Sequence, residues 1–315
     1  MEYRPLGKSG IIVSQLCFGT LTIGSLAANL PLHEGAALVR AALEAGINFF
    51  DTAQYYSNYQ YLAQAMSGWG GKVIIASKSY AKTTHEMAYA VEEARIALKR
   101  NKIDIFLLHE QRDAAALADS RPALEYLMQA KANGVVDAVG ISTHDISAAY
   151  LAATMPEIDV LHALLNKKGL GIRGGSLEDM REALCLAKAN GKGVYIMKAI
   201  GGGAFMDEAK EAIKWAFAEE EADAVAIGMK DQAELITNIA WMEGRDGEQA
   251  VKINLLERKL ILDKTPACTR CKACIERCPQ QALVLDDDEI IWHKEACLFC
   301  GYCIAACPWF CISFC

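Results

Sequence analysis

Four cysteines spaced Cys268-x2-Cys271-x2-Cys274-x3-Cys278 and followed by Pro279 recur as Cys297-x2-Cys300-x2-Cys303-x3-Cys307 followed by Pro308. Nothing else in the chain restricts its folding so tightly, because eight thiols crowded into two short segments need either oxidation or metal to hold them. Ten of the twelve cysteines lie in the last 48 residues, and only Cys17 and Cys185 precede them. A disulfide scaffold expects wider spacings and an exported chain. The N-terminus Met1-Glu2-Tyr3-Arg4-Pro5-Leu6 has neither the basic segment nor the apolar run of a secretory signal, so a cytoplasmic setting is expected. Zinc favours pairs of CxxC with longer spacers rather than two compact quartets.

The spacing suits two [4Fe–4S] clusters instead. Three thiolates at two-residue gaps wrap one cube, and the fourth, turned away at the proline, ligates the other. One expected set is Cys268, Cys271, Cys274 and Cys307; the second is Cys297, Cys300, Cys303 and Cys278. Cys311 and Cys315 fall outside the repeat and read as spare thiols, while His293 and the acidic run 286–289 read as surface loop. The segment resembles a bacterial-type ferredoxin, which implies a small α+β iron–sulfur domain over residues 259–315.

Residues 1–258 show a different pattern. Apolar runs at 15–18, 48–50, 73–77, 105–108, 138–141, 159–164, 193–197 and 224–227 read as eight strands. Amphipathic stretches such as 33–45, 86–99, 120–133 and 176–190 alternate with them, and Gly46, Gly134 and Gly191 stop three of these. Eight βα units of this size total about 250 residues, as a (β/α)8 TIM barrel needs. A doubly wound sheet would show a glycine-rich phosphate turn after its first strand, and Cys17-Phe18-Gly19-Thr20 is not G-x-G-x-x-G. Apolar runs flanking Gly7-Lys8-Ser9-Gly10 predict a hairpin on the barrel floor, and residues 242–262 read as one more helix.

Reactive side chains gather at the carboxyl ends of the predicted strands, where barrels of this kind place their chemistry. The second strand runs into Asp51-Thr52-Ala53-Gln54-Tyr55-Tyr56, the third into Ser77-Lys78, and the fourth into His109. With Asn48-Phe49-Phe50 before Asp51, and Ile103-Asp104-Ile105-Phe106-Leu107-Leu108 before His109, residues 3–240 resemble the aldo-keto reductase family. That resemblance implies a nicotinamide cofactor and a tyrosine acid or base surrounded by aspartate, lysine and histidine. By position these are Tyr56, Asp51, Lys78 and His109. A free phenol has a pKa near 10, so an ammonium beside it favours proton release, and an imidazole can hydrogen-bond the oxygen whose charge changes. Tyr55 is the rival for the acid role, one residue too early for the motif.

The resemblance also implies nucleotide contacts at Gly19, Thr20, Ser142, Thr143, Asn166, Lys198, Gly228, Met229, Lys230, Glu234 and Asn238. Thr143 stands where relatives carry asparagine. Glu234 stands near the position of a phosphate-binding arginine, where an acid would repel a 2′-phosphate and suit a free ribose hydroxyl. Lys230 argues the other way, so NADH and NADPH both stay open. Gly201-Gly202-Gly203 could approach a pyrophosphate or simply form a loop.

The two halves together read as an oxidoreductase that interconverts a small carbonyl and an alcohol with NAD(P)H and passes electrons through two clusters. A hydride carries two electrons and a cluster exchanges one, so this reading leaves room for a flavin adaptor and for a one-electron partner protein; no motif identifies a flavin site. The alternative is an electron-transfer or redox-sensing protein whose barrel is only a docking scaffold. A net charge of −7 without a basic block gives no footprint for nucleic acid, and no uncharged apolar run reaches membrane-spanning length.

Overall fold

The computed structural model describes residues 1–245, 260–262, 268–278, 280–297, 303, 306–307 and 311–314. The chain opens with the expected hairpin, β1 (Tyr3–Pro5) paired antiparallel to β2 (Ile12–Ser14). Eight parallel strands then close on themselves: β3 (Leu16–Gly19), β4 (Phe49–Asp51), β5 (Ile74–Ser79), β6 (Ile103–Leu108), β7 (Val136–Thr143), β8 (Val160–Leu164), β9 (Gly193–Met197) and β10 (Ala224–Gly228). Pairing of β10 with β3 shuts the barrel, with Val225 opposite Leu16 and Gly228 opposite Gly19. All eight strands lie where the hydrophobic runs predict them.

Around the barrel run α1 (Leu32–Glu44), α2 (Tyr59–Met66), α3 (Thr84–Leu98), α4 (Ala114–Asp119), α5 (Arg121–Ala132), α6 (Ile146–Thr154), α7 (Leu177–Ala189), α8 (Ala209–Phe217) and α9 (Gln232–Met242). Local chemistry sets two of their starts. Thr83 and Glu86 form a reciprocal capping box on α3, and Ser176 and Asp179 form one on α7, each satisfying otherwise orphaned backbone N–H groups. Among the described residues no helix is long and apolar enough to cross a membrane.

Strand alternation divides the core in two. Phe18, Phe50, Phe106 and Leu108 face the helices, whereas Cys17, Phe49, Ile105 and Leu107 fill the barrel interior. Leu6, Ile11 and Val13 of the hairpin join that interior set, so the hairpin plugs the floor. Gly7 makes this approach possible: its φ is +53°, and a Cβ there would lie 2.3 Å from the Gly193 nitrogen.

C-terminal to the barrel, β11 (Leu260–Leu262) pairs antiparallel with β14 (Ile312–Phe314). The helix expected over 242–262 is corrected at its two described ends, and 246–259 lie outside the described residues. The preceding helix α9 stops at Met242, and Leu260–Leu262 is a strand whose partner is too far along the chain for local periodicity to reveal. Between these strands lie α10 (Ala273–Arg277) and a hairpin of β12 (Leu283–Asp286) and β13 (Glu289–Trp292). The acidic run 286–289 is the end of that hairpin rather than a free loop. Asp286 and Glu289 are its last pair, and Asp287 and Asp288 turn the chain at φ +41° and +65°. The predicted boundary at 258/259, Cys300, Cys315 and both post-cysteine prolines lie outside the described residues.

Candidate active site

The strand period aims the reactive groups. Asp51 follows inward-facing Phe49 by two residues, Lys78 follows Ala76, and His109 follows Leu107, so each inherits the interior direction one layer nearer the carboxyl rim. Lys78 is 1% exposed. Its Nζ donates to Asp51 Oδ1 at 2.6 Å and to the Thr52 carbonyl at 2.7 Å, and lies 5.1 Å from the centroid of the Tyr56 ring. Burial draws the Lys78 pKa down from the usual lysine value, partly opposed by the Asp51 carboxylate. Tyr56 follows on the Gln54–Tyr56 turn, which ends at left-handed Ser57. The His109 ring stands edge-on to Tyr56, with centroids 5.9 Å apart. Burial holds the His109 pKa well below the ordinary histidine value, with Lys78 and Arg277 pushing the same way, so the ring is neutral near pH 7 and can donate one N–H.

Sequence reading missed two members of this layer. Tyr195 donates from its hydroxyl to Asp51 Oδ2 at 2.8 Å, and His162 stacks on Tyr195 with centroids 3.8 Å apart and Nε2 3.8 Å from the same carboxylate oxygen. Asp51 is thereby held on both oxygens, by an ammonium and a phenol. Burial lowers the His162 pKa to about 4, against the pull of Asp51. The available signal was parity: His162 lies two residues after Val160, and Tyr195 lies mid-strand, both pointing inward.

Tyr55 and Tyr56 diverge. Tyr56 lines a cleft with Asp51 and His162, whereas Tyr55 packs edge-on against Tyr80 at 5.7 Å and borders a separate outer hollow. Tyr80 in turn stacks on His109 at 4.2 Å and donates to Glu110 Oε2 at 2.8 Å.

Five of the expected nucleotide residues line the cleft: Gly19, Lys198, Gly228, Glu234 and Asn238 border it, and Gly202 and Gly203 join them, but the remaining expected residues are engaged elsewhere. Gly228 leaves room that no other residue could, because a Cβ there would meet Thr22 Cγ2 at 2.3 Å. Thr20 donates to the Asp51 carbonyl, Ser142 Oγ accepts from the Glu110 N–H, and Thr143 donates to the Gln111 carbonyl. Asn166 ties its own loop, donating to the Leu170 carbonyl and accepting from the Leu170 N–H, as a turn residue would. The buried Met229 carbonyl accepts from Thr22, and Lys230 is paired with Glu234 through its N–H at 2.9 Å and its Nζ at 3.7 Å. Local sequence could not separate these loop-tying roles from ligand contacts, since the same side-chain types do both.

In the C-terminal segment the described cysteines form no disulfide. Cys278 and Cys307 are treated alike: each sulfur accepts a hydrogen bond from the backbone N–H four residues on, Ala282 and Cys311 respectively, at 3.2 Å. Such N–H···S bonds suit thiolates that carry cluster charge. Burial pushes the Cys274 thiol up to about 11, and Cys307 and Cys268 lie near enough to add to the shift. Among the described residues no three potential ligands converge as a single metal ion would require.

Barrel, tetrad and cysteine segment together define an oxidoreductase with an iron–sulfur domain. Residues 15–243 match the Aldo/keto reductase family, and residues 260–308 match the 4Fe-4S dicluster domain. The chain belongs to the aldo/keto reductase family. It is 24% identical over 288 residues to L-galactose dehydrogenase of Arabidopsis thaliana, covering 76% of this chain and 88% of that one. It is 31% identical over 193 residues to 6-dehydroglucose reductase of Novosphingobium aromaticivorans, covering 50% of this chain and 60% of that one. The holo form of aldo-keto reductase AKR11C1 from Bacillus halodurans shares the fold, with a TM-score of 0.65, 20% identity, and coverage of 77% of this chain and 91% of that structure.

Proposed function

We propose that the barrel interconverts a carbonyl and an alcohol with a nicotinamide nucleotide, and that two [4Fe–4S] clusters give this reaction access to one-electron chemistry. The observation that carries the reading is that Asp51 and Tyr56 line a cleft whose other walls include Gly19, Gly228, Glu234 and Asn238, with Lys78 against both of them and His109 edge-on to Tyr56. The nucleotide, when bound, supplies or accepts the hydride, and the clusters store single electrons.

The protein's own residues handle the proton and the charge. In reduction, the Tyr56 hydroxyl gives its proton to the substrate oxygen, and the Lys78 ammonium beside the ring favours the phenolate left behind. Asp51 keeps Lys78 oriented, and Tyr195 keeps Asp51 oriented. Neutral His109 donates to the substrate oxygen as negative charge develops on it. Glu234 faces the cleft, where a carboxylate favours the free ribose hydroxyls of NADH over a 2′-phosphate. Cys268, Cys271, Cys274 and Cys307 would hold one cluster, and Cys297, Cys300, Cys303 and Cys278 the other. The nearness of Cys307 and Cys268 to Cys274 supports the crossover.

The names of the two curated relatives direct the first substrate panel to sugars and their oxidised forms. Replacing Tyr56 by Phe is expected to slow NAD(P)H-driven aldehyde reduction by about 10² to 10⁴-fold while nucleotide still binds in a fluorescence titration. Undiminished turnover in that variant would remove Tyr56 from the acid role.

A further inference from the structure

One side chain of the iron–sulfur domain reaches the barrel's reactive rim. Arg277 closes α10 and immediately precedes Cys278, the cysteine assigned above to the second cluster. Its guanidinium lies 3.7 Å from the centroid of the Tyr80 ring and 5.2 Å from that of Tyr55, and its Nη2 is 3.8 Å from Glu110 Oε2. Tyr80 is the ring stacked on His109, which in turn meets Tyr56 edge-on. An unbroken series of contacts thus joins a cluster ligand to the proposed proton donor. Glu110 tightens it: this residue is buried, sits at a left-handed φ of +53°, accepts from Tyr80 and is pinned through its N–H by Ser142. A residue held in that conformation against its steric preference has surroundings that specify its position.

We propose that Arg277 is a positioning residue that couples the redox state of the Cys278-ligated cluster to the His109 side of the active site, so that cluster reduction weakens nucleotide binding in the barrel. This rests on the functional reading above. A reduced cluster gains one electron and hence one negative charge beside Arg277. The guanidinium is then drawn toward the cluster and away from Tyr80 and Glu110, which loosens the ring that backs His109. Coupling of this kind is reciprocal: a nucleotide that binds the oxidised protein more tightly makes the cluster harder to reduce.

The test compares dissociation constants of the redox-inert tetrahydro forms of NADH and NADPH for the cluster-loaded protein, oxidised and dithionite-reduced, under anaerobic conditions. In the native protein the better-bound analogue is expected to bind about fivefold more weakly after reduction. By linkage the analogue then lowers the cluster potential by about 40 mV, taking 59 mV per tenfold for one electron. In Arg277→Gln the ratio falls to one with the visible cluster absorbance intact, and Arg277→Lys restores only part of it, since an ammonium keeps the charge but not the planar stack. Tyr80→Leu cuts the same contact from the barrel side, and it decides the matter should Arg277→Gln fail to retain clusters. A ratio of one in the native protein, or a fivefold ratio surviving in Tyr80→Leu, overturns the coupling. Absence of binding in both redox states instead overturns the assignment of the cleft, and the coupling with it.

Discussion

In the barrel the reactive side chains stand on a core that exists without them, whereas in the cysteine domain the reactive side chains are the core. Phe49, Ile74, Ile105, Leu107 and their neighbours fill the barrel below Asp51 and Lys78, and a second, larger apolar layer lies under the helices. The buried cluster of the C-terminal domain consists, among described residues, of Cys274, Leu283, Cys303 and Ile312, half of it thiols. Apolar burial at roughly 25 cal/mol per Å² can hold the first together; the second has too little such surface and must draw on ligation. The barrel can therefore keep its fold when its catalytic residues are changed, while in the small domain function and folding are one interaction.

The largest effect that could break this contrast is removal of the clusters. Chelation under oxidising conditions should abolish hydrogen-exchange protection in β12 and β13 while leaving β3 to β10 protected; persistence of protection at 283–292 would show that the domain folds without metal. Next comes the buried ion pair. Lys78→Met leaves Asp51 charged and buried, and should lower barrel stability in a urea titration by about 3–5 kcal/mol, whereas Lys102→Met at the exposed pair with Asp137 should cost under about 1 kcal/mol.

Acid should then separate the two regions. Burial depresses the pKa values of His109, His144 and His162 below the unfolded value, so their contribution to stability is complete above about pH 6.5 and is lost as the pH falls toward their folded values, with His162 at about 4. Each can cost up to about 1.4 kcal/mol per pH unit in that window, read from urea midpoints across pH. The C-terminal domain buries no histidine among its described residues, and its exchange protection should not follow that loss. The smallest effect concerns the hairpin turn, where Asp288→Gly relieves a left-handed non-glycine residue and should raise local exchange protection by about 1 kcal/mol.

Much of the fold was legible because its signals are short-range. The strands announced themselves by apolar runs, and several helices by amphipathic stretches ending at glycine. Where two segments distant in sequence had to meet, the reading failed: Leu260–Leu262 looked helical in isolation, and only pairing with Ile312–Phe314 makes it a strand. The site divides in the same way. Asp51, Lys78, Tyr56 and His109 stand at strand ends in a recognisable order, yet His162 and Tyr195 carry no motif, and their importance arises from sharing the Asp51 carboxylate across the barrel. Likewise Ser142, Thr143 and Asn166 resemble ligand contacts in sequence, and only the tertiary structure shows that their side chains also bond loop backbone.

The sequence by itself determined the inventory: two cysteine quartets at cluster spacing, eight βα units, and four reactive residues at the ends of consecutive strands. Tertiary structure alone decided which groups share a charge and which face the cleft. It turned Tyr56 inward and Tyr55 toward Tyr80, and it laid Arg277 of one domain against the rim of the other. The reason is physical: spacing along the chain fixes local direction, but electrostatic and stacking contacts depend on distances through space, which barrel closure and domain packing set.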